Sequence, residues 1–396
     1  MNLIQLFRRS TSSASFVPEI DGLRFFCIFL VMIFHLNTAM HKNVVEYHEY
    51  WQNQLIIKTM GDMSWWVARL DLGVKVFFAI SGYILGMPFL KYYLYNGKKI
   101  DLKQYFIRRL TRLEPPFIIS LFAMMIAQIV LQHKNAIDTL NHFLAGIIYA
   151  HFPIYGKPNP INPVTWSLET EAQFYITLPI LLAGLFIFKK KIHQIVAFLI
   201  MLIAFLWFKH LIYIHHYTHI LNSIFYYFTF FAIGTLYAAA HLARPDIFFN
   251  GSKKIIFDAL GMLSIFFLFY FYKPQQHLSN TLLFNVGVFG LFLSAFRGKI
   301  FNWFFTRPLI YLIGGMCYSI YLLHYALFSF IMPHTVHWSL KMGYWPDLLL
   351  QSIIVFPITL VISGLFFLWV EKPCMNKDWP QQLLTKLGFR RNKDAH

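Results

Sequence analysis

The feature that most constrains this chain is a series of ten apolar runs, at 22–40, 72–90, 115–132, 166–188, 192–209, 220–241, 255–272, 280–296, 308–331 and 347–370. A hydrocarbon layer about 30 Å thick is crossed by about 20 helical residues, so each run is of spanning length. The chain is 58% hydrophobic and 13% charged, whereas soluble domains sit nearer roughly half and a quarter. The expectation is an all-α integral membrane protein, a polytopic bundle of about ten transmembrane helices. A shorter apolar piece at 139–150 is too brief to cross and reads as re-entrant or interfacial.

A net charge of +17 can signal nucleic acid, but here the basic residues recur in short clusters between apolar runs instead of forming one patch. That is the distribution of topology signals, and no nucleic-acid partner is expected. With the N-terminus inside, 24 of the 34 Lys and Arg fall in inner segments and nine in the longer outer ones, with Arg24 at the inner end of the first helix. This asymmetry predicts that both termini are cytoplasmic. Leu3 to Val17 is polar and Ser-rich, so residues 1–19 read as a cytoplasmic tail and not as a cleaved signal. Residues 1–373 then form one transmembrane domain, and 374–396 a short cytoplasmic tail.

Two outer loops stand out. Segment 41–71 holds Trp51, Trp65 and Trp66, which suit an interfacial belt. Segment 151–165 carries Pro153, Pro158, Pro160 and Pro163 and is expected to be extended. Cys27, Cys317 and Cys374 share no metal-type spacing, so neither a disulfide framework nor a metal site is expected.

Polar groups set into the apolar runs carry the chemistry. In the first helix Arg24 and His35 stand eleven residues apart, roughly 16 Å along the axis. With Arg24 at one face, His35 lies near the middle of the layer, where an imidazole is a functional candidate by default. The bland alternatives are a helix-capping His and an Arg that snorkels, or pairs with Asp21 at i, i+3. In Phe77-Phe78-Ala79-Ile80-Ser81-Gly82-Tyr83, Ser81 and Gly82 read first as small residues at a tight helix crossing. The inner stretch Arg108-Arg109-Leu110-Thr111-Arg112-Leu113-Glu114-Pro115-Pro116 puts Arg108 and Arg112 on one helical face, with the prolines starting the next helix. Positive-inside anchoring accounts for these charges, and so does bidentate binding of phosphate. In Trp166-Ser167-Leu168-Glu169-Thr170-Glu171, Thr165 or Ser167 is a candidate cap. Glu169 is a first-turn carboxylate, while Glu171 lies deeper and needs a partner or a function. Tyr321 and His324 share a face at i, i+3.

Taken with Glu371-Lys372-Pro373, these stretches resemble, in order and over residues 20–373, the membrane-bound acyltransferase-3 family, whose members acylate sugars of envelope and exported glycans. Many relatives have two adjacent carboxylates after Trp-Ser-Leu; here the second position is Ala172, which leaves Glu171 to carry that role. About 25 residues follow the last helix, as in the form without an appended esterase-like domain.

The resemblance implies transfer of an acyl group, most often acetyl, from cytoplasmic acyl-CoA to a carbohydrate hydroxyl, free or lipid-linked, at the bacterial cytoplasmic membrane. On this reading Arg24, Arg108, Arg109 and Arg112 hold the phosphates of acetyl-CoA, and His35 takes the hydroxyl proton. Glu171 fixes the imidazole or binds the acceptor, and Ser81, Trp166, Tyr321 and His324 line the acceptor site. A covalent acetyl-His35 intermediate stays open. No metal is called for, and the oligomeric state is not specified. The competing reading is a polytopic carrier or flippase for a lipid-linked sugar, with His35, Glu171 and His324 as its polar path.

Overall fold

A computed structural model describes residues 3–9, 16–43, 63–272, 278–338, 344–376 and 379–381, and among these every regular element is helical. The long helices, numbered along the chain, are α1 (Pro18–Asn43), α2 (Leu72–Tyr95), α3 (Leu102–Leu131), α4 (Trp166–Phe186), α5 (Lys191–Ile214) and α6 (Ile224–Ala243). They continue with α7 (Ile255–Phe271), α8 (Leu278–Arg297), α9 (Pro308–Gly315), α10 (Cys317–Thr335) and α11 (Tyr344–Phe366). Seven segments, on α1, α2, α3, α5, α6, α8 and α11, are long and apolar enough to cross a membrane. Helices α9 and α10, bent by 71° at their junction, make an eighth if they form one broken span. The chain is a multi-pass membrane protein, with seven or eight qualifying helices among the described residues where hydropathy alone counts ten. The two remaining runs differ for plain reasons. The first turns of α4 carry Glu169, Glu171 and Gln173, and α7 has only 17 residues.

Helices α2 and α6 meet backbone to backbone. A Cβ at Gly82 would lie 2.1 Å from the Phe231 carbonyl oxygen, and one at Gly234 would lie 1.8 Å from that of Ala79. Gly82 is therefore the packing residue that its size suggests. Phe231 closes the crossing by stacking on Phe78 and Phe174, with centroids 4.6 and 4.1 Å apart. Gly234→Leu must force these helices apart and is expected to cost about 3 kcal/mol or more. Thermal unfolding in detergent reads this effect. Gly184→Ala, with nothing within 4 Å of its new methyl, should unfold like wild type.

The prolines do not start a new helix. Pro115 and Pro116 lie inside the 30-residue α3, so Arg108, Arg109 and Arg112 stand on its first half and not in a loop. Asp101 caps this helix by accepting from the Gln104 amide at 3.2 Å. Pro115 has no amide to give the Thr111 carbonyl four residues earlier, and the Trp379 indole N–H takes that acceptor at 2.8 Å. Part of the C-terminal tail is thus docked on α3; residues 382–396 and Trp51 lie outside the described residues. Trp65 is 3% exposed, with the Arg69 guanidinium 3.8 Å from its ring centroid, so it belongs to the core and not to an interfacial belt.

Segment 151–165 is not fully extended either. His151–Tyr155 forms one helical turn and Pro163–Thr165 a 3-10 turn. Proline is tolerated in a first turn because the amides there have no partner inside the helix. The turn is pinned by buried histidines. His151 Nδ1 donates to the Lys157 carbonyl (3.2 Å), its Nε2 lies 2.9 Å from His142 Nδ1, and Tyr155 stacks on it at 4.7 Å. Burial first, and then His142, push His151 from the ordinary 6.5 down to about 4. Between those values the unfolded segment binds a proton that the folded one refuses, so stability is full above pH 6.5 and drains as the pH falls toward 4. Amide exchange across 151–160, corrected for intrinsic rates, should quicken from pH 7 to pH 5, and His151→Asn should flatten that difference. Equal protection at both pH values would count against a buried neutral ring.

Candidate active site

Three clusters assemble from residues far apart in sequence. The first joins α1 to α10. His35 is half-buried and His324 fully buried, and His35 Nδ1 lies 2.8 Å from His324 Nε2. The rings are 5.0 Å apart, and Tyr325 closes edge-on over His35 at 5.4 Å. On the far side of the pair, His324 Nδ1 lies 3.0 Å from the Ile320 carbonyl and 2.9 Å from that of Tyr321.

Tyr321, one turn back on the same helix, does a different job. Its hydroxyl donates to the Val164 carbonyl and therefore accepts from Ser167 Oγ, 2.6 Å away. It ties α10 to the start of α4, and Ser167 is used there and not as a helix cap. Thr165 is no cap either, since its hydroxyl donates to the Asn162 carbonyl at 2.9 Å. Glu169 caps a different element. Its Oε2 accepts from the Phe152 amide at 2.9 Å and so steadies the 151–155 turn.

The second cluster joins α2 to α4. Ser81 Oγ donates to Glu171 Oε1 at 2.7 Å, which gives the deeper carboxylate of α4 its partner. Both residues are only half-buried, and the Tyr175 hydroxyl also hydrogen-bonds to this carboxylate. Trp166, at the head of α4, packs between Phe78 (6.2 Å) and Tyr227 (5.3 Å), with Lys75 Nζ 6.0 Å from its ring.

The third cluster is cationic, at the end of the bundle that holds Arg24. Arg24 donates to Asp21 Oδ1 at 2.7 Å, and Arg9 reaches the same oxygen at 3.7 Å. Arg112 stands within electrostatic range of Asp21, Arg9 and Glu371. Glu371 accepts from the Ser319 amide (3.1 Å) and hydroxyl (2.5 Å), capping α10 just past its bend. The Nε groups of Arg9 and Arg112 are buried and have no hydrogen-bond partner among the described residues. Three guanidinium groups facing two carboxylates leave an excess positive charge with donors to spare. Arg109 lies over Tyr105 and Tyr175, 6.0 and 5.7 Å from their ring centroids, and Arg108 is exposed.

Sequence reading gives Arg9 no role beyond topology and Glu371 no role beyond its place in a motif. Nothing local marks Arg9, because a basic pair before a first span is what membrane orientation alone would produce. Among the described residues no group of three or more His, Cys, Asp or Glu could hold a metal ion, and all three cysteines are free.

A family model described as an acyltransferase domain, acyltransferase-3, matches residues 17–368. The chain belongs to the acyltransferase-3 family. Two relatives show how it compares with longer family members. The O-acetyltransferase OatA of Staphylococcus aureus strain NCTC 8325 is 25% identical over 393 residues, covering 92% of this chain and 58% of that protein. A protein named "Putative O-acetyltransferase" from Staphylococcus aureus strain COL is 26% identical over 381 residues, covering 90% of this chain and 57% of its own length. This acyltransferase-3 chain thus spans a little over half the length of these relatives. No solved structure matches it.

Proposed function

We propose that this chain transfers an acyl group, acetyl in the simplest case, from cytoplasmic acyl-CoA to a hydroxyl of a cell-envelope or exported carbohydrate. The relatives named as O-acetyltransferases support oxygen as the accepting atom. The observation that carries the mechanism is the half-buried His35 held by His324. A sugar hydroxyl is a weak nucleophile near neutral pH. His35 takes its proton as the oxygen attacks the thioester carbonyl, the carbon–sulfur bond breaks, and the imidazolium returns the proton to the departing CoA thiolate.

The surplus donors of Arg9 and Arg112, beside Arg24 and with Arg109 near the same end, fit the pyrophosphate and ribose phosphate of CoA. Glu171, braced by Ser81, and Trp166 are placed on the acceptor side, the carboxylate to accept from sugar hydroxyls and the indole to stack on a ring face. In this arrangement both termini and the arginines face the cytoplasm of a bacterial cell, the chain crosses the cytoplasmic membrane about ten times, and the acceptor is a free or lipid-linked glycan. No step calls for a metal.

The test uses purified protein in lipid vesicles with acetyl-labelled CoA and a mixed pool of envelope glycans. Label appearing in glycan with release of free CoA is expected. No CoA release by folded wild type, whatever glycan is offered, would favour a carrier of lipid-linked sugar instead.

A further inference from the structure

We infer that His324 is the positioning residue for His35. Through it the α10 backbone dictates which nitrogen of His35 is the base, an inference that rests on the acyltransfer reading above. His324 Nδ1 faces two main-chain carbonyls, at 3.0 and 2.9 Å, and a carbonyl oxygen only accepts. Nδ1 therefore carries the proton. A neutral imidazole has one ring proton, so His324 Nε2 presents a lone pair. Its neighbour at 2.8 Å, His35 Nδ1, must then donate. That fixes His35 as the Nδ1–H tautomer and leaves the basic lone pair on Nε2, the ring nitrogen that points away from α10.

The partner's chemistry matters as much as its geometry. A carboxylate in this position would hold the tautomer and also neutralise the imidazolium that forms during attack. Neutral His324 does the first without the second. The imidazolium of His35 is thus left without a countercharge from its partner and gives its proton readily to the departing thiolate. Among the described residues the titratable groups against the pair include two phenols: Tyr325 beside His35, and Tyr321, 5.9 Å from His324, whose own proton is committed to Val164. Glu171 hydrogen-bonds to Ser81 and Tyr175.

Two measurements test this on full-length protein in lipid nanodiscs. The first needs no turnover. With ¹⁵N-labelled histidine, the His35 resonances, assigned by comparison with His35→Gln, should report Nδ1–H in wild type and shift toward Nε2–H in His324→Phe. The second is kinetic. His324→Phe should lose about 10²-fold or more in kcat with the KM for acyl-CoA within about twofold. His324→Gln, whose amide oxygen can accept at the same place, should recover at least tenfold of that loss. His324→Glu should keep activity but move the acid limb of the pH–rate profile up by about one unit or more, because it puts a carboxylate beside His35 where neutral His324 stood. A merely structural His324 would move stability and leave that limb alone. Wild-type His35 already in the Nε2–H form, or a folded His324→Phe protein with wild-type kcat and pH profile, would overturn the inference. If wild type turns over no acyl-CoA, the acyltransfer reading fails, while the tautomer measurement still decides whether His324 orients His35.

Discussion

Replacing His35 by alanine is expected to lower acyl transfer by about 10²–10⁴-fold, the usual worth of a positioned general base, with acyl-CoA binding unchanged. The arginines stand on other turns and other helices, eleven residues away on α1 in the nearest case, so removing the imidazole does not disturb the donor site directly. It does strip the buried Nε2 of His324 of its donor, at a cost of about 1–3 kcal/mol. His35→Gln is the better variant for separating chemistry from folding, because its amide can still donate to His324 while lacking a base of useful strength. Both variants should fail alike in label transfer, and the glutamine form should unfold closer to wild type. Retained transfer in a folded His35→Gln protein would remove His35 from the chemistry and point to another proton acceptor.

Much of the architecture follows from the apolar runs, because a helix in lipid satisfies its own backbone and needs no distant partner to be recognised. The two counts part where an apolar segment carries a polar end, as α4 does with Glu169 and Glu171. Proline misleads at two points for one reason. Pro115–Pro116 sits inside α3 because another residue, Trp379, takes up a freed carbonyl, and Pro153 sits in a first turn where its missing amide costs nothing. Candidate residues are readable as polar atoms in greasy surroundings and as the family's short motifs. Their pairings are not. His35 meets His324 across 289 positions and Ser81 meets Glu171 across 90, and no local periodicity encodes contacts of that range. Arg9 is the clearest case. Its charge is explained by topology, and only the folding of the N-terminal segment against Asp21 shows that its Nε is buried with no hydrogen-bond partner among the described residues.

Arg112→Ala is expected to raise the KM for acyl-CoA by about 10- to 100-fold, the worth of one or two charge-assisted hydrogen bonds to phosphate. The unequal states of the arginines set an order. Arg24 already spends part of its fork on Asp21 at 2.7 Å, so Arg24→Ala should cost less than Arg112→Ala. Arg9 shares that carboxylate at longer range, 3.7 Å, and keeps a buried orphan Nε, which places Arg9→Ala near Arg112→Ala. Exposed Arg108 should matter by no more than about threefold and mostly at low salt, as screened surface charges do. Arg112→Lys should rescue poorly, since a single ammonium cannot reproduce a two-pronged contact. Steady-state kinetics over a wide acyl-CoA range, with equilibrium binding of desulfo-CoA, reads all five variants. A fall in kcat at unchanged KM would assign Arg112 instead to bracing the α9–α10 bend through Glu371. In that case Glu371→Gln should reproduce its phenotype.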